Sequence, residues 1–258
     1  MIFPSVIVIT GASSGLGAAL AVAYAAPGIT LGLLGRDAAR LSATASACTA
    51  RGATAVTGTV DVCDREGMSR WLADFDSAHP IQLLIANAGI SAGTGDQGEG
   101  EQQARDIFAV NVAGVLNSVL PVIPCMQKRR RGQIAIISSL AGVRGLPSCP
   151  AYSASKMAVR GWGEGLRGAL KNDGVRVSVV CPGYIRTPMT EVNSFPMPFI
   201  MSAEKAAGII VRGLARNRPR IAFPLALFLP LWFLSCLPPR LTDVFFAALP
   251  RKTSMEKA

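Results

Sequence analysis

Val6-Ile7-Val8-Ile9-Thr10-Gly11-Ala12-Ser13-Ser14-Gly15-Leu16-Gly17 runs from a short apolar, β-branched stretch into a glycine-rich turn, and an alanine- and leucine-rich segment follows. Such a run bounded by glycine reads as a buried strand, and the segment after it as a helix. Glycines at the junction allow a tight turn and close approach of the backbone to a pyrophosphate, which the free amides and dipole of a helix N-terminus attract. Thr10, Gly11, Ser13, Ser14, Gly15, Leu16 and Gly17 are therefore candidate dinucleotide contacts.

The same alternation continues along the chain. Strand-like runs at 6–10, 30–34, 54–60, 81–86, 133–138 and 175–181 are separated by helix-sized intervals at 15–26, 37–50, 64–78, 101–130, 151–172 and 203–215. Short, almost wholly apolar strands between helices predict an α/β fold, a doubly wound parallel sheet in three layers of Rossmann type, with ligands at the strand C-termini. The organisation expected is one dinucleotide-binding and catalytic domain over 1–220, with a lid at about 187–202, and a hydrophobic then basic tail over 221–258. Residues 93–100 are polar and glycine-rich, as a flexible loop is.

At 258 residues the chain suits one large domain, and half of its residues are hydrophobic while 16% are charged, which excludes a disordered protein. The net charge is +10, but its densest run, Lys128-Arg129-Arg130-Arg131, ends a predicted helix and carries no interleaved aromatics. That pattern complements a helix dipole and gives no platform for nucleic acid. The six cysteines form no C-x-x-C pair, and Met1-Ile2-Phe3-Pro4 leads directly into a strand-like segment, so the expectation is reduced thiols in the cytoplasm. The single histidine, His79, precedes Pro80 in a loop, which leaves no material for a Ser/His/Asp triad or a histidine-rich metal site, and no metal is expected.

Tyr152-Ser153-Ala154-Ser155-Lys156 carries the chemistry. A tyrosine and a lysine four apart share a helix face, so the ammonium is expected near the phenol, favouring its ionised form. An ordinary tyrosine titrates at about 10, and lowering that value makes it a usable acid or base near neutral pH. Ser139 stands thirteen residues earlier, at the end of the fifth strand. At the end of the second strand, where an acidic residue would meet a ribose 2'-hydroxyl, the chain has Gly35-Arg36, and an arginine there pairs with a 2'-phosphate. The cofactor expected is NADP(H) in preference to NAD(H).

In these motifs, from Thr10 to Thr187, the chain resembles the single-domain short-chain dehydrogenases/reductases. The family's T-G-x-x-x-G-x-G turn is matched by Thr10 to Gly17, its adenine-contacting Asp-aliphatic pair by Asp61-Val62, and its N-N-A-G motif by Ala86-Asn87-Ala88-Gly89, which lacks the first asparagine. Asn111, Ser139, Tyr152 and Lys156 match the catalytic tetrad, and Pro182-Gly183 with Ile185 and Thr187 the nicotinamide side. The resemblance implies that Tyr152 passes a proton to or from the substrate oxygen, Ser139 hydrogen-bonds that oxygen, Lys156 holds the nicotinamide ribose and tunes Tyr152, and Asn111 supports a water connecting Lys156 to solvent. It implies an NAD(P)-dependent oxidoreductase acting on CH–OH or C=O groups. A non-catalytic dinucleotide sensor would not need both Tyr152 and Lys156, and a hydrolase using Ser138 or Ser139 lacks a G-x-S-x-G elbow.

The connection at 187–202 carries Met189, Phe195, Met197, Phe199 and Met201, an apolar set suited to a lipophilic ketone, aldehyde or secondary alcohol. Between Ile221 and Pro239 there is no charged residue, and Trp232 stands among Leu225, Leu227, Phe228, Leu229, Leu231, Phe233 and Leu234. Three placements are open for this tail: in a membrane interface with Trp232 as anchor, buried against the domain or a second copy, or spanning a bilayer. Pro224, Pro230 and Pro238-Pro239 oppose a single straight span, while Arg240, Arg251, Lys252 and Lys257 suit an anionic surface. Gly161, Gly165 and Gly168 share one face of the Tyr152 helix, and the family assembles through this helix, so a homo-oligomer is expected.

Overall fold

The computed structural model describes residues 4–95, 98–193, 195–247 and 252; of the sequence expectations, those on Met1 to Phe3, Arg251 and Lys257 lie outside these residues. Strand β1 (Val6–Thr10) is flanked by β2 (Thr30–Gly35), which pairs with β3 (Thr54–Thr59), and on its other side by β4 (Leu83–Ala86), followed outward by β5 (Gly132–Ile137), β6 (Val175–Pro182) and β9 (Arg220–Phe223). All neighbours in this seven-stranded sheet are parallel, in the order β3-β2-β1-β4-β5-β6-β9. Side chains that alternate along each strand fill two cores. Ile7, Ile9, Leu31 and Leu33 face helices α1 (Gly15–Tyr24), α2 (Ala38–Thr49) and α9 (Ala203–Ala215), while Val8 and Leu34 face α3 (Arg65–Ala78) and the helices that follow β4. Burial on both faces is why these strands read as unbroken apolar runs.

The segment expected as one helix over 101–130 follows a helical path from Glu101 to Lys128 with two irregular turns. It comprises α4 (Glu101–Phe108), a π-helical turn at Ala109–Ala113, α5 (Gly114–Val119), a 3-10 turn at Leu120–Val122 and α6 (Ile123–Lys128). Pro121 and Pro124, which lack an amide to donate, fall at the second irregularity. Among the described residues this is the only helix long and apolar enough to cross a bilayer, and it lies on the sheet as a core helix, burying Ile107, Val115, Val119 and Met126. Its basic end is a clamp: Arg129 pairs with Asp76 at 2.6 and 2.8 Å and donates to Ile81 O, and Arg130 donates to Asn172 O.

α7 (Pro150–Ala169) carries Tyr152, and a 3-10 turn at Leu140–Gly142 links β5 to it. Beyond β6 a two-stranded parallel ribbon, β7 (Ile185–Arg186) with β8 (Met201–Ser202), ties together the ends of the expected lid, which contains α8 (Pro188–Glu191).

The sequence placed the end of the domain at residue 220, but Ile221 to Phe223 complete the sheet against Val180 to Pro182. Only then does the apolar stretch form α10 (Leu225–Ser235) and, after a break at the paired prolines, α11 (Pro239–Ala247). No spanning helix forms there. Leu227, Phe228 and Leu231 pack on Leu140, Val179 and Cys181, and α11 is held by Arg144, which donates to Thr242 Oγ1 and Asp243 Oδ1 and lies over the Phe246 ring.

Candidate active site

Strand order reverses between β1 and β4, so the connections that leave them run to opposite faces of the sheet and open a crevice where an α/β sheet binds ligands. The walls of this crevice are braced to each other. Thr10 Oγ1 accepts from the amides of Asn87 and Ala88 at 3.0 and 3.1 Å, and Asn87 Nδ2 donates to Thr10 O and Gly11 O. Gly11 has φ of +66°, and a Cβ on it would lie 2.8 Å from Ala88 Cα, so both conformation and space demand glycine. Ser14 at the α1 N-cap makes no side-chain cap, which leaves the first amides of the helix facing the cleft. This turn, closed to a Cβ at Gly11 and Gly17 and rich in free amides, fits a dinucleotide pyrophosphate.

One cleft of about 320 Å³ runs along the strand ends. It is lined by Gly11, Ser13, Ser14, Gly15 and Leu16 of the turn; by Arg36, Asp61, Val62, Asn87, Ala88 and Gly89; and by Ser139, Tyr152, Lys156, Pro182, Gly183, Ile185, Thr187 and Met189. Three expected site residues lie beneath its surface. Thr10 and Gly17 shape the turn from below, and Asn111, fully buried in the π-helical turn, accepts from Ile90 N and donates to Ile90 O and Ser155 Oγ. Of the five apolar lid residues only Met189 reaches the lining. Phe195 packs edge-on against Tyr184, Met197 accepts from Asn193, and Phe199, with φ of +58°, is 59% exposed. The β7–β8 ribbon closes the base of the segment, and these three side chains lie outside the cleft lining.

At one end of the cleft Arg36 stands 3.7 Å from Asp61, and Arg40, which the sequence reading omitted, also lines the wall. The nearest carboxylate on the α2 side, Asp37, is engaged: it accepts from Arg40 N at 2.9 Å and pairs with Arg40 Nε at 2.6 Å. The Arg40 amide and guanidinium hold the Asp37 carboxyl below its ordinary range.

At the other end Ser138 donates to Lys156 O at 2.7 Å, bolting α7 to β5, and Ser139 accepts from Ala141 N. Ser139 and Ser91, the latter also absent from the sequence reading, stand near enough to the Tyr152 hydroxyl to favour its ionised form. Lys156 Nζ is 5.8 Å from the Tyr152 ring centroid, but it donates to Ile137 O at 3.1 Å and burial pushes it down to about 8. Burial likewise pushes the Tyr152 phenol up, against the lowering by Ser139 and Ser91. The expectation that Lys156 holds the phenol ionised is thus not met in this state: spacing of four brings the groups together, while a backbone carbonyl takes the ammonium's hydrogen bond. His79 lies away from the cleft, against Phe75.

Residues 5–195 match the family model described as short chain dehydrogenase. The chain is 35% identical to an uncharacterized oxidoreductase of Myxococcus xanthus over 91% of its length and 93% of that protein. It is 34% identical to a ketoacyl reductase of Nostoc over 83% of its length and 77% of the relative. A crystal structure of a short chain dehydrogenase/reductase from Burkholderia phymatum in complex with NAD superimposes with a TM-score of 0.82 at 26% identity, covering 98% of each chain. With this sheet order, glycine turn and full-length likeness, the chain belongs to the short-chain dehydrogenase/reductase family, NAD(P)-dependent oxidoreductases that act on CH–OH and C=O groups.

Proposed function

We propose that this protein is an NADP(H)-dependent oxidoreductase of a lipophilic ketone, aldehyde or secondary alcohol, with Tyr152 as its general acid and base. The observation that carries the reading is the alignment along one cleft of the glycine turn, two arginines at one end, and Ser139, Tyr152 and Lys156 at the other. The turn, Asp61-Val62, Asn87 to Gly89 and the Pro182 to Thr187 segment would hold the dinucleotide, whose nicotinamide supplies or accepts the hydride when bound. Tyr152 donates its phenolic proton to the substrate carbonyl oxygen, and Ser139 hydrogen-bonds that oxygen as charge develops on it. Lys156 holds the ribose and returns protons to Tyr152. A side chain at Gly89 would stand 3.0 Å from Asn111 Oδ1 and 3.3 Å from Lys156 Nζ, so glycine keeps the approach between them clear, which suits a water linking Lys156 to solvent.

NADP preference is supported by Arg36 and Arg40 on the cleft wall and by the engagement of Asp37 with Arg40, which removes the carboxylate that would meet a 2'-hydroxyl. Arg36→Ala should weaken NADPH binding about tenfold, on the order of one lost charge-assisted contact, and leave NADH binding unchanged. Bound-nicotinamide fluorescence measures both; equal weakening of the two cofactors, or tighter NADH binding in the wild type, would discard the assignment.

A lipophilic substrate is supported by Met189 in the lining and by the named substrate class of the Nostoc relative. The surface of the tail agrees with such a substrate. While one side of α10 packs on the domain, Leu225, Leu229, Trp232 and Phe233, at helical spacing, are about half exposed or more, and α11 adds Leu241, Val244 and Phe245. We infer a peripheral membrane contact through this face of a cytoplasmic protein, beside the exposed Arg240. Replacing Leu229, Trp232 and Phe233 together by serine should move the protein from pelleted anionic vesicles to the supernatant without loss of fold. Unchanged partition in that sedimentation assay removes the membrane reading.

Self-association through α7 is the remaining inference about partners. A Cβ at Gly161, Gly165 or Gly168 would meet nothing within 4 Å, so this glycine face is open for a second copy of the helix, whereas Gly163 packs on Val179 and Ile136. Light scattering should report a homo-oligomer at micromolar concentration; a single-chain mass overturns it.

A further inference from the structure

Lys252 packs on the loop after β4, behind the cleft lining and beside the Tyr152 ring. Its carbonyl accepts from Gly95 N at 2.9 Å, and a Cβ on Gly93 would overlap its side chain, so the loop after β4 is shaped to admit it. Nζ lies 4.8 Å from the centroid of the Tyr152 ring and donates to the Ser91 hydroxyl, which stands near enough to the Tyr152 phenol to favour its ionised form. The ammonium thus lies against the ring that carries the proton donor. Among the described residues no carboxylate pairs with it; the six ion pairs there involve arginines alone. A largely desolvated cation whose protein partner is a neutral hydroxyl sits in the place where an anion would complete it. Burial also pushes Lys252 below its ordinary range, and the cause is desolvation, as for a cation still lacking its counter-charge.

We propose that Lys252 is a specificity-determining residue that binds a carboxylate on the substrate, making the substrate class a lipophilic oxo acid or the corresponding hydroxy acid; this rests on the oxidoreductase reading above. Nζ lies over the ring that bears the phenol oxygen, 4.8 Å from its centroid. The carboxylate therefore stands only a few carbon atoms from the carbonyl that Tyr152 protonates, and the hydrocarbon extends away from both. The reaction is unchanged: a hydride and the phenolic proton reduce C=O to CH–OH, and the carboxylate remains ionised as an anchor.

The test compares 4-oxodecanoate with its methyl ester in the wild type, Lys252→Met and Lys252→Arg, together with calorimetric binding of decanoate, which undergoes no hydride transfer. NADPH fluorescence checks that each variant keeps its cleft. The expected result is a preference for the acid over the ester of at least tenfold in kcat/KM, lost in Lys252→Met through KM and retained in Lys252→Arg, the ratio of acid to ester rather than the rate on either one being the readout. Decanoate should bind at least tenfold more weakly to Lys252→Met, and more weakly to the wild type as salt is raised. Equal losses on acid and ester, an acid preference that survives Lys252→Met, or decanoate binding indifferent to residue 252 would overturn the inference. If the wild type reduces neither ketone yet decanoate binding still depends on Lys252, the oxidoreductase reading fails and the anion site stands.

Discussion

Tyr152→Phe should lower carbonyl reduction by about 10³-fold, within the range typical for loss of a general acid, and leave NADPH fluorescence unchanged. That factor corresponds to about 4 kcal/mol of transition-state stabilisation. The substitution removes one oxygen. The ring, its packing over Lys156 and Lys252, and the α7 backbone that Ser138 bolts to β5 all remain. What disappears is the one hydroxyl that neighbours Ser139 and Ser91. The pH dependence follows from the same environment. Because burial raises the phenol above its ordinary value of about 10, Tyr152 is protonated throughout the neutral range. Reduction therefore has its proton donor at pH 6 to 9 and loses it only as pH rises past the raised value. Oxidation needs the phenolate, so its rate should climb with pH across about 7 to 9, by up to tenfold per unit. Lys156, pushed down to about 8, keeps its positive charge below that value and loses it above, so ribose binding by this ammonium should weaken on the alkaline side. Steady-state rates in both directions check these signs. A Tyr152→Phe enzyme within threefold of wild type, or oxidation that falls between pH 7 and 9, would remove Tyr152 from the proposed role.

Much of this site was legible because its signals are local. A strand buried on both faces must be apolar throughout, so β1, β2 and β5 announce themselves, and the turn after β1 must be glycine where Gly11 takes a positive φ against Ala88. Tertiary choices were not legible. The four-residue spacing of Tyr152 and Lys156 fixes their shared face but does not say that Ile137 O receives the ammonium. The apolar stretch from Ile221 was read as tail because nothing in Ile221-Ala222-Phe223 distinguishes a strand paired to β6 from the start of a hydrophobic segment. Phe195 and Phe199 have the composition of a pocket lining, yet one packs on Tyr184 and the other is exposed, which composition does not say. Lys252 meets Ser91 across 161 residues, with no periodicity or motif to mark it.

Gly17→Ala should cost more than about 2 kcal/mol of stability and weaken NADPH binding by 100-fold or more, although the same change within a helix ordinarily stabilises by about 1 kcal/mol. The reversal of sign has a geometric cause. A Cβ on Gly17 would overlap the Gly11 carbonyl oxygen and stand 2.6 Å from Asn87 Nδ2. Relief requires Gly11 to move, but Gly11 is already pressed against Ala88, where its own Cβ position lies 2.8 Å from Ala88 Cα. Displacing Asn87 instead breaks its hydrogen bonds to Thr10 O and Gly11 O, each contributing about 1 kcal/mol. Either way the turn separates from β4, and the amides that fit a pyrophosphate lose their common direction. Gly208→Ala in α9 is the control, because a Cβ there meets only the flexible tip of Arg212 at 3.3 Å. That variant should gain about 1 kcal/mol and bind NADPH as the wild type does. Thermal denaturation with and without NADPH distinguishes the two: Gly17→Ala should melt lower and show little shift on adding the cofactor. A Gly17→Ala protein that melts no lower than wild type and binds NADPH within threefold of it would mean that the turn can relax away from β4. The close approach of Gly17, Gly11 and Asn87 would then no longer account for a dinucleotide site at this end of the sheet.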